Sequence, residues 1–321
     1  MKITAVVVSF NRFSLLLETV ASLLAQTLKL DSIIIVDNCS SEKGYESLKI
    51  HPLIAGNKNI SVYRLDKNTG GSGGFNFGMD QAYQSGADWI WVMDDDAEPK
   101  NDCLQRMVQN DFFGKNDCLI VAPKKVGIDG LPQYEHRGFF WNKNKIEPLT
   151  DADYKVKYIY IDYCSFVGPL ISSLAIKKYG LPDKRFFIWY DDVEFCLRVS
   201  KREKILLCND AIIVHKDGAA AKKNKIGLAI MPINLYWKSL CGARNYMFLM
   251  KHRVGKGVAW LLWNLFKRHV KILIFEDRKN IRMKYLRSVC LPVIFSDTFF
   301  DVTPSWWKSV LENEEKNKDK F

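Results

Sequence analysis

The sequence lacks an apolar run long enough to cross a bilayer, lacks any Cys-x-x-Cys pair and carries no internal repeat. The longest apolar candidate, 258–275, is broken by Lys267, Arg268, His269 and Lys271, so it falls short of the roughly 20 apolar residues that a spanning helix needs. Two readings stay open for it: an interfacial amphipathic helix, or a packed helix with a solvated basic face. Eight cysteines scattered singly exclude a paired-cysteine metal or redox motif and fit a reduced, cytoplasmic setting. No secretory signal is expected, because a strand-like segment begins at Ile3. No nucleic-acid-binding motif accompanies the basic charge.

That charge is +11, from 47 Lys and Arg against 36 Asp and Glu. It implies anionic partners, such as phosphorylated ligands or an acidic membrane face. The basic excess is concentrated after about Lys222, where it interleaves with aromatic residues around Trp237, Arg244, Trp260 and Trp263. Helices lying peripherally on the inner face of the plasma membrane are one reading of that pattern. Helices packed on a main domain are the other.

The most informative segment is Trp89 to Asp96, an apolar run that stops in three adjacent carboxylates. Its aromatic and β-branched residues predict a strand buried on both faces of a sheet. Three neighbouring Asp side chains repel one another, so they belong at the exposed end of that strand, where open α/β sheets bind ligands. Hard oxygen ligands there suit Mg²⁺ or Mn²⁺. The alternative is a polar turn capping the helix after Pro99.

Strand-like and helix-like segments alternate before it, which predicts an α/β fold with a mainly parallel sheet. Strands are expected at Ile3 to Ser9, Ser32 to Val36, Asn59 to Leu65 and Trp89 to Met93, with a helix over Leu15 to Ala25. A glycine-rich turn and a helix from about Asn76 to Gln84 follow the third strand. Val121 to Asp162 is turn-rich. Tyr158 to Phe166, a short helix near Ser172 to Tyr179, and Phe186 to Trp189 restore regular structure, and Ala211 to His215 is the last strand. A boundary near Ile226 divides a domain over 1–225 from a basic, aromatic-rich helical region over 226–321.

Several clusters at these strand ends carry possible chemistry. Asp37 is placed to accept a hydrogen bond from a ribose or base, or to cap a helix with Ser40 and Ser41. Ser9, Asn11 and Arg12 supply hydrogen bonds and a guanidinium for a diphosphate. In the segment from Asn68 to Gly78, Gly70, Gly71, Gly73 and Gly74 allow the backbone to approach a ligand closely, although the spacing is not a dinucleotide fingerprint. Asp191 and Asp192 follow the aromatic Trp189 and Tyr190. A carboxylate walled by aromatics gains basicity and can take a proton from a hydroxyl, and either Asp can also cap the helix that follows. His215 ends the last strand, where it can complete a cation shell or serve structure alone.

The ordered set Val7 to Arg12, Val36 to Asn38, the glycine segment, Asp94 to Asp96, Asp191-Asp192 and His215 resembles the family 2 glycosyltransferases of the GT-A fold. Within them, the glycine segment, Ile161 to Ile171 and Ile188 to Asp192 look most like bacterial galactofuranosyltransferases. The resemblance implies an inverting enzyme that transfers galactofuranose from UDP-galactofuranose to a glycan, such as a lipid-linked O-antigen or capsule. It implies that Asp37 contacts the nucleotide and that Asp95 and the glycine segment contact the donor. Asp94, Asp96 and His215 would hold Mn²⁺ or Mg²⁺, and Asp192 would be the base. Trp189, Tyr190 and the Glu135-His136 pair would meet the acceptor. Tyr163-Cys164 stands where polymerising members carry tryptophan, so the acceptor site is expected to differ. A rhamnosyltransferase using dTDP-rhamnose is the alternative, and a non-catalytic, membrane-associated sugar-nucleotide-binding protein is an alternative of another class.

Overall fold

A computed structural model describes residues 1–115, 117–141, 145–216 and 231–318. The chain opens with β1 (Ile3–Ser9), α1 (Phe13–Leu24), β2 (Ser32–Asp37), α2 (Glu42–Ile50), α3 (Pro52–Ala55), β3 (Ile60–Arg64), α4 (Gly70–Gln84) and β4 (Trp89–Asp94). The four strands lie side by side in the order β3-β2-β1-β4, all parallel. Burial on both faces is why β1 and β4 read as unbroken apolar runs rather than alternating ones: every residue of β1 is buried, and so are the first five of β4. One face packs on Leu16, Thr19, Val20 and Leu23, a helical stripe on α1 at the i, i+3, i+4, i+7 positions of an amphipathic helix.

The chain continues through β5 (Ala97–Pro99), α5 (Cys103–Val108), β6 (Cys118–Val126), β7 (Arg137–Trp141), β8 (Lys145–Pro148), β9 (Tyr158–Ile161), β10 (Tyr163–Cys164), β11 (Leu170–Ser172), α6 (Ser173–Tyr179), α7 (Asp191–Ser200) and β12 (Lys204–His215). The sheet extends beyond β4 as β11-β6-β12-β5, with β9 on β12, while β10, β7 and β8 form a separate small sheet. The expected parallel arrangement holds for β3-β2-β1-β4 and again where β12 lies parallel to β6, while β5, β9 and β11 run against their neighbours. Among the described residues, the stretch between β6 and β9 holds no α-helix to make a parallel crossover.

The glycine-rich turn expected before Asn76 is instead the first part of α4, which is helical from Gly70. Glycine inside a helix costs about 1 kcal/mol relative to Ala. Here it permits close approach to the sheet. A Cβ on Gly74 would lie 2.5 Å from Val8 Cγ1, and one on Gly78 would lie 2.4 Å from Val6 Cγ1 and 2.9 Å from Val36 Cγ2. The 70/74/78 spacing puts the small residues on one helical face.

The remaining helices are α8 (Tyr236–His252), α9 (Val258–Phe275), α10 (Lys279–Ser296) and α11 (Pro304–Lys318). The chain divides into two compact units, one of Met1–Lys184 with Asp192–Gly218 and one of Arg185–Asp191 with Ala219–Phe321. The expected boundary at Ile226 lies outside the described residues. In the helical unit, Leu240, Met247 and Leu249 of α8 are buried, as are Val289, Val293 and Ile294 of α10 and Trp307 of α11. Its buried Arg282 is satisfied by the Met231 carbonyl at 2.9 Å and by Asp277 and Glu276 at 2.5 and 2.9 Å.

Replacing Gly78 by Ala should destabilise the protein by about 1–3 kcal/mol through overpacking, in spite of the better helix propensity. Denaturant unfolding checks this, and a variant more stable than the parent would contradict the close-packing account.

Candidate active site

The parallel register brings the functional strand ends to one edge. Ser9 lies opposite Asp37, and Val8 lies opposite Asp94. β12 delivers His215 beside Ala97 of β5, just past the acidic triplet. His215 Nε2 is 3.0 Å from Asp96 Oδ1. One side-chain ligand atom from each of Asp94, Asp96 and His215 lies within 4.8 Å of the others. That span suits one small cation with bonds of about 2.0–2.6 Å to each.

The three carboxylates meet different surroundings. Burial, aided by the charge of Asp96 and offset in part by His215, pushes the Asp94 carboxyl up to about 7. Burial also raises Asp95, to about 6, against the hydroxyl of Ser9 and the charge of Arg12. Asp95 is turned toward β1, accepting from Ser9 Oγ at 2.7 Å and from the Phe10 N–H at 3.4 Å. Arg12 Nη1 reaches Asp96 Oδ2 at 2.6 Å and Asp95 Oδ1 at 3.4 Å. Buried carboxylates raised this way favour a nearby positive charge, and two carboxylate oxygens with one imidazole nitrogen match Mg²⁺ or Mn²⁺ chemically. The residues therefore fit a divalent cation.

Beside them, a cavity of about 170 Å³ is lined by Ser9, Asn11, Arg12 and Asp37 together with Phe13 and Tyr45. Asp37 is buried, accepts from the Ser40 N–H at 3.3 Å and lies 3.6 Å from Arg64 Nε. Asn11 has a left-handed backbone, with φ of 56°. It locks two loops together: its N–H donates to Ser40 Oγ at 2.8 Å, and its Oδ1 accepts from the Ser41 N–H at 2.9 Å. Asn68 Oδ1 accepts from the Gly70 N–H at 2.8 Å at the start of α4. Of the glycines there, Gly71 has open space on its Cβ side, whereas Gly73 and Gly74 are turned toward Thr69 and Val8.

Asp192 sits in the first turn of α7 in the sheet unit. Burial raises its carboxyl to about 6, against the Val193 N–H and the charges of Arg137 and Lys125. Burial, aided by the charge of Asp192, in turn pushes the Tyr163 phenol up. Neither Lys125 nor Arg137 was identified in the sequence. Both are fully buried, and Lys125 also acts on Asp94. Arg137 donates to the carbonyls of Pro123, His136 and Val167 at 3.2, 2.8 and 2.7 Å and to Ser165 Oγ at 3.0 Å. Their one sequence signal is a cation within an apolar strand pattern, which costs too much to bury without a partner. The His136 ring lies 5.9 Å from that of His215.

Trp189, Tyr190 and Asp191 belong to the helical unit. Regular structure was expected over Phe186 to Trp189, but the segment is irregular, with left-handed φ of 63°, 67° and 70° at Phe187, Trp189 and Tyr190. Such conformations cost about 1–3 kcal/mol each for non-glycine residues. They persist because α8 takes up the backbone. Asn245 Nδ2 lies 2.8, 2.9 and 2.9 Å from the carbonyls of Phe186, Ile188 and Trp189, and Arg244 donates to those of Arg185 and Phe186 at 3.1 and 2.9 Å. Gly242 leaves room for the Trp189 ring, which a Cβ would approach to 2.7 Å. Asp191 opens α7 and is buried.

A family model described as Glycosyl transferase family 2 matches residues 4–168. The galactofuranosyltransferase GlfT1 of Mycolicibacterium smegmatis is 29% identical over 202 residues, covering 61% of this chain and 65% of that protein. GlfT1 of Mycobacterium tuberculosis is 30% identical over 220 residues, covering 67% of this chain and 70% of the relative. This chain thus spans slightly under two thirds of the M. smegmatis protein. Solved structures similar in fold include GalNAc-T7 with UDP, GalNAc and Mn²⁺, with a TM-score of 0.58, 15% identity, and 92% of this chain and 57% of that one covered. S. aureus TarS 1-349 in complex with UDP-GlcNAc has a TM-score of 0.55, 14% identity, and coverage of 92% and 82%. At these identities the likeness extends to the fold alone.

Asn245→Ala should destabilise the protein by about 1–3 kcal/mol, since it strands buried carbonyls of the 186–190 segment. Denaturant unfolding measures this, and an unchanged midpoint would show that the amide does not hold the turn.

Proposed function

The chain belongs to glycosyl transferase family 2, and on that premise we propose an inverting, metal-dependent enzyme that transfers galactofuranose from UDP-galactofuranose to a hydroxyl of a lipid-linked cell-surface glycan, such as O-antigen or capsule. The observation that carries the chemistry is the gathering of Asp94, Asp96 and His215 within 4.8 Å at the carboxyl edge of the sheet. The donor sugar is supported by the 30% identity to GlfT1.

In this reading the nucleotide enters the cavity beside Asp37, with Asn11 and Arg12 at its wall and the start of α4 (Asn68, Gly70, Gly71) close to the donor. Asp94, Asp96 and His215 would hold Mn²⁺ or Mg²⁺, which when bound offsets the charge that builds on the leaving diphosphate. Asp95, tied to Ser9 and Arg12, keeps its neighbours aimed at that position. Asp192 takes the proton of the acceptor hydroxyl as its oxygen attacks the anomeric carbon from the face opposite the diphosphate. One glycosidic C–O bond forms, the C–O bond to phosphate breaks, and the configuration inverts. A carboxylate raised to about 6 is a stronger base than an ordinary Asp, yet still ionised at neutral pH. Trp189 and Tyr190, close before it in the chain, would present aromatic faces to the acceptor sugar. A lipid-linked acceptor calls for peripheral placement at the inner face of the plasma membrane.

Purified protein should turn over UDP-galactofuranose with a synthetic lipid-linked acceptor. Asp192→Asn should lower the rate by about 10²–10⁴-fold and leave UDP affinity nearly unchanged. The parent rate should fall by about tenfold per pH unit below about 6, as the base becomes protonated. Turnover with dTDP-rhamnose and none with UDP-galactofuranose would overturn the donor assignment. An Asp192→Asn protein with full function would overturn the assignment of the base.

A further inference from the structure

The helix α9 is apolar on two faces, and among the described residues one of them is buried while the other is exposed. Leu261, Leu265 and Ile272 are buried in the helical unit. On the other side, Val258, Leu262, Trp263, Phe266, Leu273 and Ile274 stand exposed, with Trp263 at 57%, Phe266 at 55% and Ile274 at 61%. At 100° per residue these six fall on one continuous outward stripe. A contiguous exposed stripe of large apolar residues on a folded domain marks an interaction surface.

The charge around the stripe favours one class of partner. Along α9 the ionisable residues are Lys267, Arg268, His269 and Lys271, with no carboxylate in the helix. Lys267 and Lys271 are both exposed, along one border of the stripe. A protein partner seated on so apolar a face would leave those lysines at a rim that needs matching carboxylates. An anionic bilayer offers acyl chains to the stripe and headgroup phosphates to the lysines together. No helix among the described residues is long and apolar enough to cross a membrane, so the fitting geometry is a helix lying in the interface.

We propose that α9 is an interfacial anchor, which inserts Leu262, Trp263, Phe266, Leu273 and Ile274 into the headgroup–acyl boundary of an anionic membrane while Lys267 and Lys271 pair with lipid phosphates. This rests on the peripheral placement proposed above and names the element responsible for it. It does not depend on the donor sugar.

The test is co-sedimentation of the full chain with vesicles of phosphatidylcholine and phosphatidylglycerol, compared with phosphatidylcholine alone. The parent should bind the mixed vesicles and lose binding as salt is raised. A Trp263→Glu/Phe266→Glu variant should bind at least about tenfold more weakly, and Lys267→Glu/Lys271→Glu should lose the preference for anionic lipid. Both variants should keep the parent's unfolding midpoint and its turnover on a water-soluble acceptor, which separates a lost anchor from a misfolded protein or an absent activity. Equal binding by parent and variants would overturn the proposal. A lipid-free dimer that dissociates on Trp263→Glu/Phe266→Glu would overturn it too, by assigning the stripe to a second copy of this chain.

Discussion

Three consecutive carboxylates at the end of a buried strand repel one another and resist desolvation, and the surrounding structure is arranged around that repulsion. Asp95 is drawn back to β1 by Ser9 and Arg12, and Asp96 is held between Arg12 and His215. Asp94 stays raised to about 7. Two buried cations, Lys125 and Arg137, balance further negative charge from neighbouring strands. The partners come from the ends of β1 and β12 and from β6 and β7, so the site exists only when the main sheet and the small β10-β7-β8 sheet are both assembled around the end of β4.

That dependence is matched by close packing of α4 on the strands that carry the site. α4 presses its glycine face onto Val6, Val8 and Val36, in the strands that end at Ser9 and Asp37. Asn38 joins these elements by donating to the Gly70 carbonyl at 2.8 Å and accepting from the Thr69 N–H at 2.9 Å. A helix standing farther from the sheet would move its start away from the cavity beside Asp37. In the helical unit, the buried Asn245 similarly holds a backbone that would not keep its shape alone.

Much of this was legible in the sequence wherever one local pattern decided the outcome. β1 runs from Ile3 to Ser9 as read, and the other three parallel strands differ by a residue or so at their ends, because apolar runs that stop in polar residues mark a strand and its exposed edge. The strand ends carrying Asp37, Asp94 and His215 could be placed for the same reason. The glycine segment misled, because glycine signals both a turn and a close helix–sheet contact, and only the position of Val6 and Val8 distinguishes them. The 186–190 segment was illegible, since its shape depends on a side chain about 55 residues later. Lys125 and Arg137 were passed over because their partners are backbone carbonyls and distant carboxylates that no motif records.

The central claim, that the acidic strand end is a cation site completed by His215, is tested most directly by titrating Mn²⁺ into the protein with UDP and following the free-ion signal by electron paramagnetic resonance. The account predicts one bound Mn²⁺ per chain, and an affinity weakened by at least about tenfold in His215→Ala and more in Asp96→Asn. Undiminished Mn²⁺ affinity in both variants, with the fold intact by circular dichroism, would contradict it.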